Sequence, residues 1–161
     1  MKSAPTKLSP KLLLDPVHFL ALGFGAGLSP KAPGTVGTIV AVPIIMFIAS
    51  FGLLTHLLVA ALICVSGVYI CDVSAKKMRV HDHPGIVWDE IAGFAIAMLA
   101  VPLTWYWVSA AFLLFRFFDI VKPWPIREAD HSLSGGLGIM LDDMIAGIFS
   151  CAIVHALRWA L

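Results

Sequence analysis

APGTVGTIVAVPIIMFIASFGLLTHLLVAALICVSGVYIC, residues 32–71, carries no charged side chain. The run is about twice the ~20 residues that one helix needs to cross a bilayer, so two helices are expected. Ser50-Phe51-Gly52 and Thr55 supply the turn between them, giving spans near 36–50 and 53–71. A second charge-free run, Ile91 to Phe115, fits one tilted helix or two short ones broken at Pro102. The two-helix reading is preferred, because Trp105-Tyr106-Trp107 sits at the break and aromatic rings suit the membrane–water interface. The last apolar block, Met144 to Leu157, reaches a crossing only with Gly138-Ile139-Met140-Leu141 before it.

The composition agrees with these blocks. Of the 161 residues, 60 % are hydrophobic and 13 % charged, against about 45–50 % and 25 % in soluble domains. Disorder is excluded, and a membrane protein is favoured. Eleven Lys and Arg against ten Asp and Glu leave a formal charge of +1, so no overall field recruits nucleic acid and any anion recognition is local. Cys64, Cys71 and Cys151 lie within or at the end of apolar blocks without paired spacing, and read as apolar filler in a reducing setting. The fold class expected is all-α and polytopic, with about five short membrane-embedded helices, cytoplasmic catalytic loops and an interfacial segment near 17–28. Residues 1–16 read as a flexible basic tail and 17–161 as a single domain. Lys2, Lys7 and Lys11 precede Leu12-Leu13-Leu14 in the manner of a signal peptide, but Asp15-Pro16 ends the apolar stretch.

Charge placement orients the chain. If the apolar blocks are hairpins, every base except Arg158 falls on one side, which the positive-inside rule makes cytoplasmic. The loops on that side also hold every acid except Asp15. Asp89-Glu90 and Asp142-Asp143 stand at the expected starts of apolar helices. A single acid there is explained by the helix dipole, worth about 0.3–1 kcal/mol. Two adjacent pairs at membrane level repel one another and resist desolvation unless a cation compensates them. Oxygen ligands of this kind suit Mg²⁺.

Three further polar segments flank these pairs. In Arg116 to Arg127, Arg116 and Asp119 stand i,i+3 on a helix that Pro123 and Pro125 then stop. Arg116, Lys122 and Arg127 either hold phosphate oxygens or form a juxtamembrane basic patch on anionic lipid. Gly27 to Thr38 reads as a Gly/Pro turn entering a helix, with Thr35 as N-cap and backbone N–H groups able to cradle an anion. It does not match a Walker loop. His81-Asp82-His83 would converge on one metal only if extended, and imidazole suits Zn²⁺ better than Mg²⁺; structural hydrogen bonding or proton transfer accounts for it equally. His18, His56 and His155 read as packing or interfacial residues, and Ser134 to Gly138 as a turn permitting close backbone approach. A thiol phosphatase signature, an aspartyl-nucleophile motif and the blocks of histidine-dependent lipid phosphatases and CDP-alcohol phosphotransferases are all missing, which leaves metal-assisted hydrolysis by water.

Assembled, the blocks GLSPKAPGTVG at 27–37, VHDHPGIVWDE at 80–90, FRFFDIVKPWPI at 115–126 and GGLGIMLDDMIAG at 135–147 resemble the phosphatidylglycerophosphatase A family. The resemblance implies Mg²⁺-dependent removal of the terminal phosphate of phosphatidylglycerophosphate, giving phosphatidylglycerol and inorganic phosphate, at the inner membrane. On that reading Asp89, Glu90, Asp142 and Asp143 hold one or two Mg²⁺, and Asp119 is a further ligand or the base that orients water. Lys31, Thr35, Arg116, Lys122 and Arg127 bind the substrate phosphate. Phospholipid and membrane are the expected partners, with no nucleic acid and no obligatory protein partner. Two other classes compete: a transporter or channel whose acids line a hydrated path, and a non-catalytic subunit docking on anionic lipid through its basic loops.

Overall fold

The computed structural model describes residues 8–80, 83–128 and 133–161, and these are helical wherever they are regular. Helix α1 (Pro16–Ala21) is capped by Asp15, whose Oδ1 accepts from the Val17 N–H at 2.9 Å and the His18 N–H at 3.4 Å. Short 3₁₀ stretches, Pro10–Leu14 and Gly23–Leu28, flank it. Then come α2 (Pro33–Ala49), α3 (Leu53–Met78), α4 (Trp88–Ala97), α5 (Trp105–Val121) and α6 (Gly135–Ala160). The turn between α2 and α3 falls at the expected Ser50-Phe51-Gly52, where Gly52 takes φ +104°, a conformation that a side chain would strain. The second charge-free run is indeed broken around Pro102, giving the separate helices α4 and α5.

Helices α3 and α6 are long and apolar enough to cross a membrane. The others are shorter: α2 is an apolar helix below that length, and the 10 residues of α4 cover about 15 Å, half a hydrocarbon layer. The outer face of α3 supports a lipid contact. Leu54, Leu58, Leu62 and Val65 are 72, 64, 66 and 73 % exposed and recur at three- and four-residue spacing, so they form one continuous apolar stripe. Water would penalise a stripe of that extent.

Helix α4 is the centre of the bundle, with Ile91 to Ala95 all buried among α2, α3, α5 and α6. Its first residue is pinned by the Trp88 indole N–H, which donates to the Ile63 carbonyl of α3 at 3.1 Å. Its far end is pinned by His56 of α3, hydrogen-bonded to the Ala95 carbonyl at 2.9 Å, and by His155 of α6, on the Leu99 carbonyl at 2.8 Å. These ties fix the directions: α2, α4 and α6 leave one end of the bundle, and α3 and α5 return to it. His18 bonds Ser74 at 2.8 Å and docks α1 on α3. All three histidines therefore serve packing, as expected. The cysteines form no disulfide.

Two helix starts differ from the sequence reading. Helix α2 begins at Pro33 after Ala32 in a left-handed conformation, and Thr35 is inside its first turn rather than its N-cap; proline at the first position pre-sets the helical φ without needing a side-chain cap. Gly135 to Gly138 is helix and not a turn. Asp142-Asp143 consequently lies two turns inside α6 and not at its start, beyond reach of the dipole's first-turn effect. The cause is tertiary: a Cβ on Gly136 would sit 1.8 Å from the Val68 carbonyl oxygen, so these glycines allow α6 to lie directly on α3. Close approach through small residues is the usual way helices associate in lipid, where apolar burial gives little drive.

Of the segment read as a tail, residues 1–7 lie outside the described residues. Pro10–Leu14 is ordered as 3₁₀, and Asp15 Oδ2 pairs with Lys77 Nζ at 2.5 Å.

Candidate active site

Two copies of one local pattern build the site. Asp89-Glu90-Ile91-Ala92-Gly93 opens α4, and Asp143-Met144-Ile145-Ala146-Gly147 runs along α6. In each, glycine follows the aspartate by four residues and so lies one turn away on the same face. The two helices touch at these glycines. A Cβ on Gly93 would meet the Asp143 carbonyl oxygen at 2.5 Å, and one on Gly147 would meet the Gly93 carbonyl oxygen at 2.3 Å. Because α4 and α6 run the same way from this end, the crossing brings their acids together one turn nearer that end of the bundle. One oxygen from each of Asp89, Glu90 and Asp143 then lies within 4.8 Å of the others. The D-x-I-A-G repeat is visible in the sequence, and it was the signal available for placing 89–90 beside 143.

The acids face a cavity of about 280 Å³ that also takes in the N-terminus of α2 and the C-terminal turn of α5. Asp119 and Arg116 enter from α5, paired through Arg116 Nη1 and Asp119 Oδ2 at 2.5 Å; the same nitrogen is 3.9 Å from Glu90 Oε1. Lys122, in a left-handed conformation just past α5, reaches Asp142 Oδ2 at 2.5 Å. The cavity therefore gathers Asp89, Glu90, Asp119, Asp142, Asp143, Arg116 and Lys122 from the residues singled out in the sequence. Asp142 stands apart from the three clustered acids because Lys122 engages it. Lys31, Thr35 and Arg127 are not on the wall: Lys31 and Arg127 are exposed outside it, and Thr35 is half-buried in the first turn of α2. His83 is buried, with Nδ1 accepting from the Gly85 N–H at 3.0 Å. His81 and Asp82 lie outside the described residues.

Two residues that sequence reasoning passed over shape this site. Thr38 is fully buried; its hydroxyl donates to the Gly34 carbonyl at 2.9 Å and accepts from Arg116 Nη1 at 3.4 Å. Gly34 leaves room for the Glu90 carboxylate, since a Cβ there would lie 2.0 Å from Glu90 Oε1. Neither carries charge, so neither stood out among the polar residues of its loop.

The charges lining the cavity are weighted toward acids. Five carboxyl groups face two bases, and burial pushes Glu90 up to about 8, with the neighbouring charges of Asp143 and Asp119 adding to the shift. Among the described residues, Glu90 Oε2, Asp143 Oδ2 and Arg116 Nε are buried with no hydrogen-bond partner. Buried polar atoms of native proteins rarely stay unpaired. Unsatisfied carboxylate oxygens of residues lining a small polar cavity fit a hard divalent cation with open positions, as Mg²⁺ prefers; among the described residues, no imidazole or thiolate joins the cluster.

Comparison with known proteins shows the family of the chain. The model of the family described as Phosphatidylglycerophosphatase A matches residues 19–158. The chain is 48 % identical over 143 residues to Phosphatidylglycerophosphatase A of Escherichia coli, covering 88 % of this chain and 83 % of that one. It is 45 % identical over 149 residues to the protein of that name from Haemophilus influenzae, covering 91 % of each. A Bacteroides thetaiotaomicron protein, provisionally named a phosphatidylinositol-3-phosphatase, is 41 % identical over 152 residues, covering 88 % of this chain and 93 % of its own. No solved structure matches. The 19–158 match takes in every residue of the cavity, and the chain belongs to the phosphatidylglycerophosphatase A family.

Proposed function

We propose that this enzyme, a member of a phosphatase family, hydrolyses the terminal phosphomonoester of phosphatidylglycerophosphate with Mg²⁺, at the cytoplasmic face of the inner membrane. The observation that carries the reading is the convergence of Asp89, Glu90 and Asp143 within 4.8 Å beside Arg116 and Lys122 on one cavity. Helices α3 and α6 cross the bilayer, while α2, α4 and α5 enter it and complete the bundle of five. The cavity then lies at the end where the bases gather, at head-group level. Exposed Lys31 and Arg127 meet anionic lipid around its mouth, worth about 1 kcal/mol per base. Clustering of the described acids at this end, rather than along a path through the bundle, favours a surface enzyme over a transporter.

Phosphate-monoester hydrolysis is among the slowest uncatalysed reactions, so the site must supply strong charge stabilisation and fixed geometry. Asp89, Glu90 and Asp143 would hold Mg²⁺, with Asp142 adjacent, and the ion would supply positive charge against the phosphoryl oxygens and lower the pKa of a bound water. Arg116 and Lys122 bind the remaining phosphoryl oxygens, Arg116 through its fork and Lys122 as a point charge. Thr38 and Asp119 hold the guanidinium in place. Asp119, at the rim of the cluster, orients the attacking water and accepts its proton. The new bond forms between water oxygen and phosphorus as the bond from phosphorus to the glycerol oxygen breaks. The glycerol oxygen leaves with a proton as phosphatidylglycerol, and inorganic phosphate remains.

The test is phosphate release from phosphatidylglycerophosphate by purified protein in detergent, with and without Mg²⁺, beside Asp143→Asn. Mg²⁺-dependent release that the variant loses is expected. Folded wild-type protein that releases no phosphate, across several detergents and added lipids, refutes the reading.

A further inference from the structure

One hydrogen bond divides the phosphate cavity from the apolar side of the bundle: Arg116 Nη1 to Thr38 Oγ1, at 3.4 Å, between α5 and α2. On the far side of that bridge the same two helices form a second concavity, a groove of about 440 Å³ lined by Ile39, Val42 and Pro43 of α2 and by Ser109, Phe112 and Leu113 of α5. Val42 follows Thr38 by four residues and Phe112 precedes Arg116 by four, so each lies one turn, about 6 Å, along its helix from the bridge. Ser109 is a further turn on. The helical rows that hold the polar cavity thus continue without interruption into the groove.

We propose that this groove seats an acyl chain of the substrate lipid, which rests on the phosphatase reading above. Ser109 brings the only side-chain polar group among its lining residues, so the groove offers one hydroxyl and no charge to a phosphate or a sugar. Its edges, Ile39 and Leu113, are 55 and 66 % exposed and open sideways, toward lipid in a protein whose α3 presents an apolar stripe. The groove lies toward the bilayer from the residues that hold the phosphate. The aromatic trio Trp105-Tyr106-Trp107 marks the other end of α5, whose 17 residues cover about 25 Å. For a lipid with its terminal phosphate on Arg116 and Lys122 and its chains in hydrocarbon, the Thr38–Arg116 bridge is the step between the two concavities, and the groove is the continuation of that route. Because a chain entering it exchanges lipid neighbours for apolar side chains, bulk affinity changes little; the groove acts by fixing where the phosphate lands.

Two measurements test this. In EDTA, phosphatidylglycerophosphate bearing a mid-chain diazirine is photolysed with the wild-type protein in mixed micelles, beside phosphatidylcholine bearing the same chain. Labelling of residues 39–43 and 108–113 by the first lipid in clear excess over the second is expected, and equal labelling overturns the proposal. With Mg²⁺, the ratio of kcat/KM for diacyl substrate to that for the deacylated head group is compared among wild type, Ile39→Trp and Ser109→Trp. The ratio should fall by about tenfold when the groove is filled. It should hold in Leu58→Trp, on the exposed face of α3. An unchanged ratio in both folded groove variants, or an equal fall in Leu58→Trp, overturns it. Wild-type protein that hydrolyses neither substrate counts against the phosphatase reading, and the labelling still decides the groove.

Discussion

Replacing Gly34 by alanine should separate catalysis from folding. The added Cβ would lie 2.0 Å from Glu90 Oε1, 3.0 Å from its Cδ and 3.4 Å from Arg116 Nη1. Restoring an ordinary carbon–oxygen contact near 3.4 Å requires the carboxylate to retreat by about 1.4 Å, since the backbone of α2 is held by Pro33 and by the Thr38 hydroxyl on Gly34. Gly34 does not occupy a positive φ, so the substitution itself imposes no backbone strain. In a helix, alanine gains up to about 1 kcal/mol over glycine. Overpacking costs typically about 1–3 kcal/mol, and here it falls on the end of one side chain. Net stability should therefore change by no more than about 2 kcal/mol, whereas a displacement above 1 Å in a catalytic group costs about 100-fold in rate. The assay pairs Mg²⁺-dependent phosphate release with thermal unfolding in the same detergent. Retention of more than half the wild-type rate in a folded Gly34→Ala protein would show that Glu90 does not need its present position, and would remove it from the working cluster.

The contrasting substitution is Gly136→Ala, whose Cβ would strike the Val68 carbonyl at 1.8 Å. Backbone cannot swing aside, so a loss of about 3 kcal/mol or more is expected, read as a large fall in melting temperature. Glu90 predicts a pH dependence in Mg²⁺-free protein. Its folded value of about 8 lies above the ordinary glutamate value of 4.5, so between those values the folded state holds a proton that the unfolded state has lost. Stability should then fall as pH rises across that window, on the order of 5 kcal/mol in all. Glu90→Gln should flatten the slope, and denaturant melts from pH 4.5 to 8 in EDTA measure both. Mg²⁺ should raise the melting temperature of wild type, following RT ln(1+[L]/Kd), and the gain should vanish in Asp143→Asn. Lys122→Met should destabilise by about 1–3 kcal/mol, by leaving Asp142 buried beside an apolar chain. Adding Asp142→Asn should recover most of that stability without recovering activity, as melts and phosphate release on the double variant can establish.

How far the site could be read from the sequence depended on the kind of interaction. Asp89, Glu90, Arg116, Asp119, Lys122, Asp142 and Asp143 all reach the cavity because charged residues beside apolar helices have few places to go except the interface. Lys31, Thr35 and Arg127 had the same credentials of composition and motif, yet point elsewhere. For Thr35 the reason is a helix start set by Pro33, three residues earlier than capping preference suggests. Thr38 and Gly34 stayed hidden because their contribution is space and a single hydroxyl contact, which exist only once α2 meets α5 and α4.

Helix number and boundaries, by contrast, are local properties. Charge-free runs exceed a bilayer's width, and turn residues such as Ser50-Phe51-Gly52 and the Pro102 segment interrupt them, so α2 to α5 follow from the chain alone. The start of α6 did not, because isolated Gly135 to Gly138 favours a turn and becomes helical only when its bare backbone packs against Val68. The sequence by itself also determined that carboxylates and bases gather in the segments between apolar helices, since charge cannot be spread through hydrocarbon. Only the tertiary structure decided which carboxylates come together. Glycines one turn from Asp89 and Asp143 let α4 and α6 cross in backbone contact, and that crossing joins three acids while Lys122 draws Asp142 aside.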